Sequence, residues 1–475
     1  MSASIPSLLR GGLTSIGFMY PLAYPLILIG LALEYFKNQW LNHKEIFCFF
    51  FALHLMGSMW LQAPIHHIAH VPWIVTMGLI TLLAAFCASI YVLCIKLLHI
   101  KSSTSLAALI QVATAITMAE WIKSHIMGGY PFLLIAYGLV DSPLQGWIPV
   151  IGLMGGSWMT LMIVGLIIQA YNHANWRFYA PMITIGFFAT CSVTHITWTN
   201  PKTSQHALLM HTHQSYIEPK TIKKTKLHVN NSSAPISLIV WPESSLASIK
   251  KTLISGIDSN PLIIYSNTSF NKEQNGYFNS MIGNDYLSTL WSHKKYHLAQ
   301  FNEWIPDNIR SMLSYFHLPS TGFLPGSNQD AVWTYKHSQI GAVICYEMLF
   351  SDYVEKVGLK SNYLVNINDL GWFEGTSLNH QFNQIARFMA LLIDRPILMS
   401  SNLSSTQLID HKGNVISHIQ KDSTTGLLIT FTPRIQNSHW FYYRNQCIIF
   451  LICFTYLLSC RSQLHRCLKC FNLNR

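Results

Sequence analysis

The sequence predicts a multi-spanning α-helical membrane domain joined to an α/β sandwich domain. Three observations carry that prediction. Only 11% of the 475 residues are charged and 50% are hydrophobic, whereas soluble globular chains carry about 25% charged residues. The longest apolar runs gather in residues 1–198 and again in 446–460. Between them, residues 199–445 are polar and broken by turns, with 20 Lys and Arg against 16 Asp and Glu. The formal net charge of +11 falls largely in short loops between apolar runs, where basic residues orient a membrane protein. No basic stripe interleaved with aromatics is present, so no nucleic-acid partner is expected.

Taken in order, the candidate spans are 7–20, 22–36, 46–61, 72–98, 104–122, 146–170 and 178–198, then 446–460. A span needs about 20 mostly apolar residues. The count is about eight, the first two being short and separated by Met19, Tyr20 and Pro21. With the N-terminus inside, the inner loops hold Lys37, Lys44, Lys101 and Arg177, and the tail holds Arg461, Arg466, Lys469 and Arg475. The intervening outer loops hold few basic residues, as the positive-inside rule requires. Trp440, Phe441, Tyr442 and Tyr443 precede the last span like an interfacial belt. No cleaved signal peptide is expected, because no small-residue cleavage site follows a lone apolar core. The spans hold almost no ionisable groups, which argues against a transporter. Three regions result: a transmembrane domain at 1–198, an extracytoplasmic domain at 199–445, and a final span with a cytoplasmic tail at 446–475.

Within 199–445, short β-rich runs recur at 236–241, 261–266, 277–283, 340–346, 362–368, 396–401, 406–410 and 426–431. Helical spacing at 380–393 puts Phe382, Ile385, Ala386, Met389, Leu392 and Ile393 on one face. A second helix is expected after Cys345, and "HKGN" at 411–414 reads as a hairpin turn. Strands mixed with helices imply an α/β sandwich.

Nine of the ten cysteines fall in spans, inner loops or tail, and Cys345 alone falls in the outer domain. A thiol there has no disulfide partner and is flagged either as a small buried hydrophobe or as a reactive group. Cys467 and Cys470 form an isolated CxxC, a weak metal signal. Two further stretches bear on Cys345. "LIVWPESSLAS" (238–248) puts Glu243 just after a buried strand, and "HKKYHLAQFNEWIP" (293–306) holds Lys295. Taken singly, that Glu reads as a turn residue and that Lys as a solvated face.

Glu243, Lys295 and Cys345, in that order, resemble the nitrilase superfamily of carbon–nitrogen hydrolases. With the transmembrane block in front and one span behind, the chain resembles the apolipoprotein N-acyltransferase family. "GGYPFLLIAYG" (128–138), "GWIPVIGLMGGSW" (146–158) and residues 366–402 extend the likeness over most of the chain. It departs at "LAQFNE", where the family has "LVPFGE", and in a shortened 206–235 segment that keeps Gln214 and Ser215 without a matching Trp.

The resemblance implies a nitrilase-like αββα sandwich and a Glu–Lys–Cys triad. A thiol with a pKa near 8.5 is only a few per cent thiolate at pH 7, so it needs a base. Glu243 suits that role if burial raises its pKa toward about 6–7. Lys295 suits stabilisation of thiolate and oxyanion. Glu303, Tyr346 and Glu347 match supporting residues of the family, and Glu347 equally suits a helix first turn. The implied enzyme is a membrane-bound acyltransferase of lipoprotein biosynthesis. It takes an acyl chain from a phospholipid, holds it as a Cys345 thioester, and passes it to the S-diacylglyceryl-cysteine amine of an apolipoprotein. No metal or organic cofactor is required. The implied setting is the bacterial inner membrane, with the catalytic domain periplasmic and the chain a monomer. A membrane-tethered amidase or nitrilase-type hydrolase, a low-activity paralogue, and a non-enzymatic scaffold remain open at this point.

Overall fold

A computed structural model describes residues 4–20, 22–38, 42–98, 105–173, 186, 188–193, 196–212, 225, 229–230, 235–244, 261–285, 288–299, 303–304, 322–419, 425–436 and 438–472. The chain separates into two compact units. One contains Met1–His66, His70–Ile196 and His439–Arg475, and the other His67–Ala69 and Thr197–Ser438.

The first unit is helical. Its helices are α1 (Ser4–Met19), α2 (Tyr24–Asn38), α3 (His43–Gly57), α4 (Trp73–Leu97), α5 (Leu106–His125) and α6 (Ile148–His173), with a further helix at Trp440–Asn472. Asn42 caps α3 by accepting from the Lys44 N–H, and Ser105 caps α5 by accepting from the Ala108 N–H, each satisfying an orphan donor of the first turn. Helices α1 and α3 meet backbone to backbone. A Cβ on Gly11 would stand 2.1 Å from the Phe49 carbonyl oxygen, the kind of approach that small residues permit between helices in a membrane.

The expected count of eight spans is corrected here. Among the described residues, four helices are long and apolar enough to cross a membrane. A fifth is added if His43–Gly57 and Met59–His67, bent by 41°, form one span. Helices α1 and α2 have 16 and 15 residues. At 1.5 Å per residue each falls short of a hydrocarbon core about 30 Å thick. Apolar composition alone does not separate a full span from a short packed helix. The run at 178–198 lies largely outside the described residues. The expectation that the spans hold almost no ionisable groups meets an exception. Helix α5 buries Glu120, which accepts from the Ile135 N–H at 2.8 Å. It also buries Lys123, which reaches His54 Nε2 at 3.0 Å and donates to the Phe132 carbonyl at 2.6 Å. These contacts fasten segment 130–135 to the bundle.

The second unit has two six-stranded sheets. The first is built from β2 (Gln205–His211), β3 (Leu238–Val240), β4 (Leu262–Asn271), β5 (Gly276–Asp285), β6 (Ser288–Lys294) and β13 (Thr425–Phe431), in the order β13-β2-β3-β4-β5-β6. The second is built from β7 (Val332–Tyr335), β8 (Ser338–Ile344), β9 (Tyr363–Asp369), β10 (Ile397–Asn402), β11 (Thr406–Ile409) and β12 (Val415–Ile419), in the order β12-β11-β10-β9-β8-β7. A small pair, β1 (Thr199–Pro201) with β14 (Arg434–Gln436), forms a separate two-stranded antiparallel sheet. In each sheet three central strands run parallel: β2, β3 and β4 in one, β8, β9 and β10 in the other. Such strands are covered on both faces, which is why they read as near-continuous apolar runs.

The sheets share one core. Leu238, Val240, Leu262 and Ile264 of the first meet Ala342, Ile344, Val365 and Ile367 of the second, alternate residues as the strand period of two dictates. Helix α7 (Ser351–Gly358) and helix α8 (Leu378–Ile393) belong to the layer outside the second sheet. Helix α8 buries the stripe expected from Phe382, Ile385, Ala386 and Met389. The helix expected after Cys345 takes another form: a five-residue 3₁₀ turn, Cys345–Leu349, then an extended Phe350, and only then α7. Cys345 sits at φ +46°, outside the right-handed region, so no α-helix can begin on it.

Candidate active site

The ends of β3, β6, β8 and β9 converge beside Asn279 within β5, and each of the five strands supplies a polar group. Glu243 follows β3 across Trp241 and Pro242 and is buried. Its Oε1 accepts from Asn279 Nδ2 at 2.6 Å and from Lys295 Nζ at 3.4 Å. Its Oε2 accepts from the Asp369 backbone N–H at 3.1 Å. From behind, Asn402 Nδ2 donates to the Glu243 carbonyl at 2.6 Å.

Lys295 follows β6, its side chain 2% exposed. Its Nζ donates to Glu303 Oε1 at 3.0 Å and lies 2.8 Å from Glu303 Oε2. Glu303 also accepts from Asn279 Nδ2 at 3.0 Å and from the Ala299 N–H at 2.8 Å. The Lys295 backbone is pinned on both sides, its N–H to the Asn279 carbonyl and its carbonyl to the Gly326 N–H, each at 2.7 Å. A Cβ on Gly326 would stand 2.2 Å from the Lys294 carbonyl oxygen. Gly326→Ala is therefore expected to displace the backbone carrying Lys295 and to destabilise the protein by about 1–3 kcal/mol, read as a fall in denaturation midpoint.

Cys345 stands at the β8 tip on its left-handed turn, within electrostatic reach of Glu243, Lys295 and Glu303, and the Asp369 N–H is directed at its sulfur. The same N–H thus serves both Cys345 and Glu243 Oε2. Burial, then the charge of Glu243, push the thiol well above its usual range, against the pull of Lys295. Burial also lifts Glu243; Lys295 lowers it, Glu303 and Asp369 raise it, and the result lies above the ordinary carboxylate range. For Lys295, burial pulls down, but Glu243, Glu303 and Cys345 outweigh it and hold the ammonium firmly charged. Moving a proton from Cys345 to Glu243 leaves the net charge of this enclosure unchanged. That is the condition under which a buried thiol can ionise transiently without a large desolvation penalty.

Tyr346 and Glu347 lie in the turn itself. The Tyr346 ring packs edge-on against Phe350 at 5.3 Å. Glu347 is fully buried and, as expected of a first-turn acid, caps the 3₁₀ turn. Its Oε2 accepts from the Ile344 N–H at 2.8 Å, and its Oε1 from the Tyr296 N–H at 2.6 Å. Burial pushes Glu347 up, but His293 and these N–H donors outweigh it and hold the carboxyl below its usual range.

The structure thus brings Glu243, Lys295, Cys345 and Glu303 together, with Glu347 beneath the cysteine turn. Residues 300–302 of "LAQFNE", together with Gln214 and Ser215, lie outside the described residues. Sequence reasoning missed Asn279, which bridges the two glutamates, and Asp369, whose carboxyl is raised by burial and held by the Gly371 N–H, Ser244, Asn402 and Trp372. Both carried a usable signal: Asn279 is an amide inside the apolar run "YFNSMIG", and Asp369 ends a buried strand as Glu243 nearly does. Among the described residues, no cluster of three or more His, Cys, Asp or Glu is arranged to hold a metal.

Comparisons with known proteins agree in two parts of the chain. Residues 10–166 match the apolipoprotein N-acyltransferase N-terminal domain family, and residues 207–436 match the carbon–nitrogen hydrolase family. Proteins named apolipoprotein N-acyltransferase are similar along much of the length. That of Photobacterium profundum is 27% identical over 66% of this chain and 66% of its own. That of Coxiella burnetii is 25% identical over 93% of this chain and 96% of its own. Among solved structures, Saccharomyces cerevisiae Nit3, a nitrilase-superfamily member, aligns at 12% identity with a TM-score of 0.37, covering 52% of this chain and 95% of its own.

Proposed function

We propose that this chain, which belongs to the apolipoprotein N-acyltransferase family and carries a carbon–nitrogen hydrolase domain, is a membrane-bound acyltransferase that N-acylates apolipoproteins at the expense of a phospholipid. The observation that carries the reading is the buried Glu243–Lys295–Glu303 cluster around the Cys345 turn. In the first half-reaction, Glu243 takes the thiol proton as the sulfur attacks an ester carbonyl carbon of the phospholipid. Lys295 balances the tetrahedral oxyanion. The intermediate collapses, the carbon–oxygen bond breaks, and Glu243 returns the proton to the leaving lysophospholipid hydroxyl. In the second, the α-amine of an S-diacylglyceryl-cysteine gives its proton to Glu243 and attacks the thioester. The carbon–sulfur bond breaks, an amide forms, and the proton returns to Cys345. Asn279 and Glu303 hold the base and the cation in register throughout.

Both substrates are lipid-anchored, so an enzyme in the same bilayer meets them by lateral diffusion. The basic residues Lys37, Lys44, Lys101 and Arg177 support an inner-membrane setting with the hydrolase domain on the periplasmic side. The test is to incubate membranes with labelled phospholipid and seek a hydroxylamine-sensitive acyl adduct on Cys345. A saturating diacylated lipopeptide should discharge it as amide. Discharge as free fatty acid alone would mark a hydrolase, and absence of any adduct under turnover would sink the reading.

The pH dependence follows from the base. Glu243 must be ionised to act, so thioester formation is present above its folded pKa and lost as pH falls through it. Because that pKa is raised, the acidic limb should lie above the ordinary carboxylate value of 4.5. Glu303→Gln removes a charge that raises Glu243, so the limb should move to lower pH. Single-turnover adduct formation against pH measures both; a limb that stayed in place would count against Glu243 as the base.

A further inference from the structure

One fully buried titratable side chain beside the site has no part in this chemistry. His293 lies on β6, two residues before Lys295. Its Nε2 is 3.0 Å from the Tyr353 hydroxyl and 3.5 Å from Glu347 Oε2, while its Nδ1 is buried with no hydrogen-bond partner among the described residues. The Tyr353 hydroxyl also lies 3.2 Å from the Ala342 carbonyl and is bonded to the Glu347 carboxylate. With Nδ1 unpartnered, the ring hydrogen belongs on Nε2, which faces the Tyr353 oxygen and Glu347 Oε2.

That donor converges on a coupling point. Glu347 accepts from Ile344, immediately before the nucleophile, and from Tyr296, immediately after the lysine. One carboxylate thereby ties the cysteine turn to the lysine loop. The stacking of His297 on Phe350, with ring centroids 3.9 Å apart, closes the same seam. The turn needs such a brace, because Cys345 at φ +46° is in a conformation that persists only where its surroundings enforce it.

We propose that His293 is a positioning residue: through Tyr353 and Glu347 it fixes the Cys345 sulfur relative to the Lys295 ammonium, and so governs the rate of thioester formation without touching substrate. The inference rests on the catalytic reading above. The test uses the full-length protein in phospholipid nanodiscs and measures single-turnover formation of the hydroxylamine-sensitive adduct over a range of donor concentrations. His293→Leu should slow the maximal rate about 10–100-fold, the scale of a sub-ångström to 1 Å misplacement, with half-saturation by donor unchanged. His293→Gln presents an amide nitrogen near the position of Nε2 and should stay within about threefold of wild type by avoiding that misplacement. His293→Asn presents its amide near Nδ1 and should behave like His293→Leu.

The Gln and Asn variants share polarity, so their comparison decides the matter even if His293→Leu fails to fold. Equal rates for the two, whether high or low, would overturn the proposal, as would an effect confined to half-saturation. A wild-type adduct with unaffected His293 variants defeats this inference alone. No adduct on the wild-type protein defeats the catalytic reading and this inference with it.

Discussion

Cys345→Ala is expected to end acyl transfer, with the rate falling by roughly 10,000-fold or more, the scale on which loss of an enzymatic nucleophile is felt. The fold should survive. Alanine at φ +46° bears a strain similar to that of the cysteine it replaces, and Glu243, Lys295 and Glu303 keep their mutual contacts, none of which involves the sulfur. Intact-mass measurement after exposure to phospholipid should show the acyl increment on the wild-type chain and none on the variant, at an unchanged melting temperature. Amide product formed at the wild-type rate by Cys345→Ala would refute a thioester route.

Lys295→Met should be the more damaging change, because it strikes rate and stability together. It leaves Glu243 and Glu303 sharing Asn279 with no cation between them. Breaking a buried ion pair from one side is destabilising by about 3–5 kcal/mol. The loss should depend on pH in a defined direction. Without Lys295, the Glu243 pKa rises further above its unfolded value, and a carboxyl raised in the folded state favours folding only while it is protonated. The deficit should therefore be small at acidic pH and grow as pH rises through that folded pKa. Denaturation midpoints of variant and wild type at pH 5 and pH 8 test this, and a deficit that shrank with rising pH would contradict it. Acyl transfer should fall with it by about 100–1,000-fold, as for a lost oxyanion donor.

What could be read from the sequence followed from how fully each segment is buried. The parallel strands β3, β8, β9 and β10 are enclosed on both faces, so "LIV", "GAVI", "YLVNI" and "ILM" announced themselves. Edge strands β6, β7 and β12 carry Ser, Thr, Lys and His among their apolar residues, and no run marked them. No run was marked at 205–211 either, although "ALLM" within it lies in β2. The transmembrane count failed for a related reason: hydropathy registers α1 and α2 as apolar, but not that each stops after 16 and 15 residues. At the site, Glu243, Lys295 and Cys345 were legible because strand ends present side chains in a fixed way. Asn279 and His293 were not, because their importance lies in which strand neighbours which, and that is a property of sheet order.

The Asp369 N–H, poised between the Cys345 sulfur and Glu243 Oε2, has a kinetic meaning. A donor that can follow the negative charge from one atom to the other supports both ends of the proton's path. It narrows the energy gap between the thiol–carboxylate and thiolate–carboxylic acid forms. Because it is main chain, no side-chain substitution deletes it. In the proposed two-step exchange of acyl groups, a donor fixed in the main chain can serve the proton's path to Glu243 and back again.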